Sequence, residues 1–140
     1  SGDFEVDEEP AESSGPSWDF DPEQSQVINQ AGRMLLKRTP DEAISYIDQH
    51  LAEAEGDFRA ALLNQRGGAH FMAGSHEDAL ADYEQCMELE PDLAEHAANA
   101  AEAAEKVGDA ETAREHAQKA LEIGGDRDAT STARDILRRL

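Results

Sequence analysis

The stretch ALLNQRGGAHFMAGSHEDALADYEQCMELEPD, residues 61–92, combines a glycine pair, two histidines, one cysteine and several carboxylates. Such residues occur in phosphate-binding loops and in metal sites. Here the apolar residues recur every three or four positions on both sides of Gly74, which is the spacing of two amphipathic helices joined by a turn. The pattern therefore predicts a helix–turn–helix unit. It does not indicate a phosphate-binding loop or a metal site.

The same helical spacing continues from residue 23 to the end of the chain, and turns of Gly, Pro, Asp or Ser separate the segments. We therefore expect an all-α protein. The predicted helices cover residues 23–38, 40–54, 57–73, 76–90, 92–107, 110–123 and 128–140. Thr39 and Glu42 are spaced as a capping box around Pro40, and Ser75 and Asp109 stand where N-caps are expected.

The chain repeats itself at a period close to 34 residues. Three pairs of residues are separated by 34 positions: Gly74 and Gly108, Ala79 and Ala113, and Pro91 and Gly125. A less regular copy comes earlier, where Gly32 precedes Gly67 by 35 positions. A fixed period of this length indicates stacked helical units that bury a continuous core.

Residues 60–93 resemble the tetratricopeptide repeat (TPR), whose unit is a 34-residue helical pair. The residues that carry the resemblance are Gly67, Phe71, Gly74, Ala79, Tyr83 and Pro91. The resemblance implies a right-handed α-solenoid of about three repeats, residues 24–59, 60–93 and 94–127, followed by a capping helix over residues 128–140. In the third repeat alanine replaces most large residues, so we expect thin packing there. On the capping helix, Arg134, Arg138 and Arg139 are expected to face water.

The resemblance also implies a concave groove lined by the first helix of each repeat, which would bind a segment of another protein. The second repeat would contribute Ala61, Asn64, Gly68, Phe71 and Met72, and the third Glu95, Ala98, Asn99, Glu102, Glu105 and Lys106. One wall is apolar and the next acidic, which favours a partner with apolar anchors and basic residues. Some TPR proteins clamp a terminal carboxylate, but that clamp would need lysine at Glu95 and arginine at Asn99, so we reject it.

The chain carries a formal net charge of −20. Residues 1–23, the N-terminal tail, hold nine acidic residues and no basic one, and the remainder holds 23 acidic and 12 basic residues. Phosphate backbones and anionic lipids bind basic surfaces, so nucleic acid and membrane surfaces are poor partners. The acidity has two readings: a role in binding, or adaptation to salt.

The N-terminal tail is acidic, rich in Ser, Pro and Gly, and lacks helical or strand periodicity, so we expect it to be disordered. Trp18 and Phe20 have two open roles. They could pack on the first helix or serve as the anchors of a docking segment. The tail itself could stay solvated, or it could fold over the groove, with its aromatic side chains on Phe71 and Met72. In the second case its acids would meet the basic residues of the first helix, Arg33, Lys37 and Arg38.

No pattern of residues indicates catalysis, a metal or a cofactor. Cys86 falls at a small, packed position, and no histidine has a second His or Cys three or four residues away, so zinc-ligand spacing is absent. Gly67 and Gly68 lie inside a predicted helix, where they favour close helix contact over phosphate binding. We therefore expect no enzyme activity and no cofactor.

Taken together, these features predict a scaffold or adaptor that binds a peptide or helix of a partner protein. Two alternatives remain: a small chaperone for a secreted or assembly-prone protein, and a structural subunit of a larger assembly. We expect a monomer with no membrane insertion, because no apolar run reaches membrane-spanning length. No secretory signal is visible and a single cysteine suits a reducing compartment, so we expect a cytoplasmic location, with a periplasmic or exported one still open.

Overall fold

The structure, a computed structural model, describes residues 20–140. This part of the chain folds into helices without strands, which confirms the all-α prediction. The helices are α1 (Pro22–Leu36), α2 (Pro40–Leu51), α3 (Gly56–Met72), α4 (His76–Leu89), α5 (Ala94–Val107), α6 (Ala110–Ile123) and α7 (Arg127–Arg139). Most of the predicted N-terminal tail lies outside the described residues, but its last two residues belong to α1.

The helices stack as consecutive antiparallel pairs. The most extensive contacts join α3 to α4 and α5 to α6, and α4 also packs against α5. At the end of the stack α7 lies on both α5 and α6, the place that the first helix of a further pair would take. This order matches the solenoid predicted from the 34-residue period, although α3 begins at Gly56 and so crosses the proposed boundary between the first two repeats.

Gly67 sets the approach of α3 to α4. A Cβ atom on Gly67 would stand 2.7 Å from Cε1 of Tyr83, so the tyrosine ring crosses α3 where that helix has no side chain. Ala79 of α4 is fully buried beside it. Gly67, Ala79 and Tyr83 are among the residues that carry the resemblance to the TPR.

An ion pair that the sequence analysis missed ties three helices together. Arg66 of α3 donates through Nε and Nη2 to both carboxylate oxygens of Asp82 of α4, at 2.9 and 2.8 Å, and through Nη1 to Asp48 of α2 at 2.9 Å. Asp82 is only 2% exposed. Burial of a charge is tolerated when it is paired in this bidentate geometry, so the arginine holds the first two pairs in register.

The core changes in character along the stack. Around α1 to α4 the buried residues include Val27, Ile47, Leu62, Leu63 and Cys86. Around α5 to α7 the main buried cluster consists of alanines, with Ile136 of α7 as its large member. Since each alanine removes little apolar area from water, the third pair has the thin packing expected from its sequence.

Helix caps agree with the predictions only in part. Asp109 accepts a hydrogen bond from Thr112 N at 3.1 Å, as predicted, whereas Ser75 makes no side-chain cap bond. The capping box at Thr39 was wrong: its hydroxyl donates to the Met34 carbonyl at 2.9 Å. The reason is proximity, because only three residues separate α1 from α2 and the free carbonyls at the end of α1 lie within reach.

Candidate functional site

The first helices of the pairs, α1, α3 and α5, lie side by side and α7 extends the row. Gln65 Nε2 donates to the Ile28 carbonyl at 2.9 Å and joins α3 to α1. Asn99 Nδ2 donates to Asn64 Oδ1 at 3.3 Å and joins α5 to α3. Arg139 joins α7 to α5 through Glu105. These contacts form a continuous face, which we call the groove.

Two of the predicted groove residues, Asn64 and Asn99, therefore meet directly. Both are half-buried, and their amides lie on the groove floor between α3 and α5. Each amide has more donors and acceptors than this one bond uses. The pair can therefore bind a further polar group.

The apolar wall is formed by Phe71 and Met72, which are both half-buried. The Phe71 ring meets His76 edge-on, with ring centroids 4.7 Å apart, and also packs on the buried cluster around Ala79 and Tyr83. Phe71 is thus partly committed to the core.

A third apolar residue, Leu36, was missed by the sequence analysis. It lies 35 positions before Phe71, at the end of α1, and is 85% exposed. The 35-residue interval from Gly32 to Gly67 is the signal that could have identified it.

The acidic wall follows α5. Glu95 and Glu102 are exposed, while Glu105 accepts two hydrogen bonds from Arg139, at 2.8 and 2.7 Å. Arg139 is exposed, as the sequence analysis expected, and its guanidinium also contacts α5 through this hydrogen-bonded pair. Hydrogen bonding to Arg139 lowers the pKa of Glu105.

Glu102 behaves differently from its neighbour. Although the residue as a whole is exposed, burial of its carboxyl group raises its pKa; Glu105 adds to this effect, while Arg139 and Lys106 oppose it. Within residues 20–140 it makes no hydrogen bond or ion pair. Glu102 is therefore a partly desolvated carboxylate whose charge lacks a direct partner.

The acidic surface continues beyond α5 into the turn before α7. A cleft of 240 Å³ opens there, and it is lined by Glu95, Ala98, Asn99, Asp126, Asp128, Ala129 and Thr132. Asp126 is already engaged as the N-cap of α7, where it accepts from Ala129 N at 3.0 Å. The two aspartates extend the acidic wall and were not identified from the sequence.

The residues of the predicted fold-back, in which the N-terminal tail would cover the groove, lie in separate places. Phe20 is half-buried against Phe58 at the start of α3, with ring centroids 6.2 Å apart. Phe58 precedes Phe71 by 13 residues of α3, about 20 Å along the helix axis. Phe20 thus packs at the opposite end of α3 from the apolar wall. Trp18 lies outside the described residues, and a fold-back of the tail stays a prediction.

Of the three basic residues, Arg33 lies inside α1 and donates to Gln30 Oε1. Lys37 is the C-cap of α1, and Arg38 follows it in the left-handed conformation at φ 59°. All three are exposed. They therefore belong to the end of α1 and its turn, and only Arg33 is helical.

A cleft of 780 Å³ lies away from the groove, where α1 and α2 meet the start of α3. Tyr46, His50 and Phe58 line it together with Glu23, Glu53 and Glu55. Carboxylates surround the aromatic side chains, and no set of residues there points to a particular ligand.

The cysteine of the opening stretch belongs to the buried core. Cys86 is fully buried, its thiol donates to the Ala60 carbonyl at 3.4 Å, and burial raises its pKa to about 12. Within residues 20–140 no group of His, Cys, Asp and Glu is arranged to hold a metal ion. No helix of the same residues is both long and apolar enough to cross a membrane.

Comparison with known proteins identifies the fold. Neither a protein-family model nor a curated protein matches the sequence. Among solved structures, the Sgt2 TPR domain from Aspergillus fumigatus has a TM-score of 0.74 at 21% identity, over 93% of this chain and 84% of that one. PcrH in complex with the chaperone binding region of PopB has a TM-score of 0.73 at 17% identity, over 84% of this chain and 94% of PcrH.

The first TPR of Spaghetti (RPAP3), bound to the HSP90 peptide SRMEEVD, has a TM-score of 0.71 at 17% identity, over 83% of this chain and 91% of that one. The chain therefore has the TPR fold, as its period and its small residues predicted.

Proposed function

We propose that this chain is an adaptor that binds a short segment of another protein in the groove. The observation that carries the proposal is the division of the groove into an apolar part at Leu36, Phe71 and Met72 and an acidic part at Glu95 and Glu102. Leu36 is 85% exposed, so its apolar side chain is open to contact with a partner. Two of the structural neighbours, PcrH and the TPR of RPAP3, hold segments of other proteins.

The division of the groove defines the chemistry of the partner. An apolar side chain would cover Leu36 and Met72 and supply most of the affinity, while basic residues would face Glu95 and Glu102 and supply orientation. An acidic segment such as the HSP90 peptide would meet like charges. The same surface disfavours nucleic acid and anionic membranes.

A binding role rather than catalysis is supported by the state of the reactive residues. The Cys86 thiol is buried with a raised pKa, and such a thiol is a poor nucleophile.

Since the cysteine is also the only one in the sequence, we place the chain in a reducing compartment, the cytoplasm.

The experiment uses defined peptides with two leucine variants of the full chain. Acetylated, amidated peptides that combine leucine with lysine should bind at micromolar to millimolar Kd and shift the NMR signals of Leu36 and Met72. Leu36→Gln should weaken binding about threefold to tenfold, since it removes an exposed apolar contact. Leu89→Gln is the matched control, because Leu89 is 39% exposed on α4, outside the groove.

Equal loss in both leucine variants, or binding that leaves the groove signals unmoved, contradicts the proposal. We expect a monomer throughout. Concentration-dependent self-association through Leu36, measured by light scattering, would instead support a structural subunit.

The chaperone alternative uses the same groove, and the likeness to PcrH keeps it in view. An adaptor binds a short segment alone, whereas a chaperone also keeps its partner from aggregating. Turbidity of an aggregation-prone protein that carries the bound segment, with and without this chain, separates the two.

A further inference from the structure

The glycine pair of α3 gives the side chain of Tyr83 a route to the groove. The ring passes over Gly67, where a Cβ would approach it to 2.7 Å. The hydroxyl lies next to Gly68, 3.9 Å from where that residue's Cβ would stand. Gly68 is half-exposed and belongs to the groove face of α3. A residue of the second helix row therefore presents a polar atom toward the first row.

The hydroxyl of Tyr83 has no partner in the described chain. The residue is only 7% exposed, yet within residues 20–140 its oxygen makes no hydrogen bond. The oxygen itself remains accessible to solvent. Buried tyrosines usually hydrogen-bond their hydroxyl, so this oxygen can accept or donate a bond to a ligand.

Tyr83 is buried in one cluster with Ala100 and Ala103 of α5, and Glu102 lies between those two alanines in the sequence, 34 positions after Gly68. Burial raises the pKa of Tyr83, and the negative charge of Glu102 raises it further, followed by smaller effects of Cys86, Asp82 and Glu95. Both glutamates place negative charge near this part of the groove. Within residues 20–140 neither of them makes an ion pair. The nearby Arg139 is held by Glu105.

We propose that the Tyr83 hydroxyl and the Glu102 carboxylate form a subsite that binds one lysine or arginine side chain of the partner, with Glu95 strengthening the local negative charge. This proposal rests on the proposed function and adds a position for the basic residue. A lysine ammonium carries three donors, so it can donate to the carboxylate and to the phenol oxygen at once. An ion pair alone would be weak on an exposed surface, but partial burial of Glu102 reduces competition from water.

The subsite also defines the spacing of the partner's side chains. Gly68 precedes Phe71 and Met72 by about one turn of α3, roughly 5 Å along the axis. An extended segment advances about 3.3 Å per residue. The basic residue should therefore lie one or two positions from the apolar anchor.

The test uses acetylated, amidated alanine-based hexapeptides that place a leucine one, two or three positions from a lysine. Matched peptides carry norleucine or glutamate instead of the lysine. The full chain is labelled with ¹³C-tyrosine, and its only two tyrosines are Tyr46 and Tyr83. Tyr46 lies on α2 against His50 and serves as the internal control.

We expect the lysine peptide to shift the Tyr83 signal, to leave Tyr46 unmoved, and to bind on the order of tenfold more tightly than the norleucine peptide. Glu102→Gln should remove this preference, and Tyr83→Phe should reduce it by roughly threefold while keeping the ring that packs on Gly67. Glu88→Gln, which removes an equal charge from an exposed site of α4, should change nothing. Circular dichroism of each variant verifies folding.

Failure of the subsite and failure of the proposed function would give different results. Equal binding of the lysine and norleucine peptides, with shifts at Leu36 and Met72, would overturn the subsite and leave the proposed function standing. Absence of groove shifts with every peptide would overturn both.

Discussion

Cε1 of Tyr83 lies 2.7 Å from the position that a Cβ atom on Gly67 would occupy, while the nearest atom to the same position on Gly68 is 3.9 Å away. Two adjacent glycines in one helix therefore meet different surroundings. We expect Gly67→Ala to lower the free energy of unfolding by about 1–3 kcal/mol, because the buried ring cannot move aside. Gly68→Ala should raise it by about 0.5–1 kcal/mol through helix propensity. Urea unfolding compares them, and the same sign for both substitutions would refute the packing argument.

The turns after α1 and α3 have the same backbone shape with different residues. Arg38 has φ 59° and Gly74 has φ 86°. A side chain in this conformation costs about 1–2 kcal/mol. Glycine avoids that cost, but it loses more conformational entropy on folding, which offsets part of the gain. Arg38→Gly should therefore stabilise the chain by about 0.5 kcal/mol.

Two controls accompany that turn prediction. Gly74→Ala should destabilise by about 1 kcal/mol, although a Cβ there meets nothing within 4 Å. Lys37→Gly, at φ −80°, should destabilise by roughly 0.5 kcal/mol. A loss of stability in Arg38→Gly would show that the arginine side chain itself matters.

The buried carboxylate of Asp82 depends on Arg66. Arg66→Met leaves that charge without its bidentate partner, with only His70 Nε2 at 3.8 Å beside it, and should cost about 3 kcal/mol in the free energy of unfolding. Asp48→Asn, at a side chain that is 52% exposed, should cost less than about 1 kcal/mol. The double variant Arg66→Met with Asp82→Met should recover most of the loss. Equal losses in Arg66→Met and Asp48→Asn, measured by thermal unfolding, would contradict this assignment.

Glu102 and Glu105 should respond to neutralisation in opposite directions. The pKa of Glu102 is raised in the folded chain, so its charged form opposes folding above the unfolded pKa of the group. Glu102→Gln should stabilise the chain at pH 7 by about 0.3 kcal/mol, allowing for solvent screening, and the gain should vanish below about pH 4.

Glu105 has a lowered pKa because Arg139 hydrogen-bonds it, so its contribution is present near neutrality and is lost as the pH falls through its folded pKa. Glu105→Gln should therefore destabilise the chain at pH 7. Urea unfolding at pH 7 and pH 3 measures both variants. Effects of equal sign would contradict the reading of the acidic wall.

The third helix pair should open more readily than the second. Its buried cluster is mostly alanine, whereas Leu62, Leu63 and Tyr83 pack the second pair. We expect amides near Ala101 and Ala117 to exchange with solvent faster than those near Leu63 and Tyr83, because less apolar area opposes local unfolding. Hydrogen exchange followed by NMR tests this, and equal protection would mean that close alanine packing compensates for the smaller side chains.

Much of the fold could be predicted because its information is local and repeats. Helical spacing of apolar residues indicates where helices run, and the recurrence of Gly74 and Ala79 as Gly108 and Ala113 indicates how they stack. These signals depend on neighbours a few residues apart and on one period. The small residue at Gly67 and the aromatic residue at Tyr83 could be assigned for the same reason.

The candidate site required the tertiary structure, because its contacts join residues about 35 positions apart. Asn64 with Asn99 and Glu105 with Arg139 meet only when successive helices lie side by side. Rotation about each helix axis decides which exposed side chains also meet a partner, which is why the contact of the exposed Arg139 with Glu105 was not predicted from the sequence. The sequence alone thus determined a stack of helical pairs with an acidic face, and side-chain packing between the pairs decided which carboxylates stay unpaired and brought the Tyr83 hydroxyl to the groove.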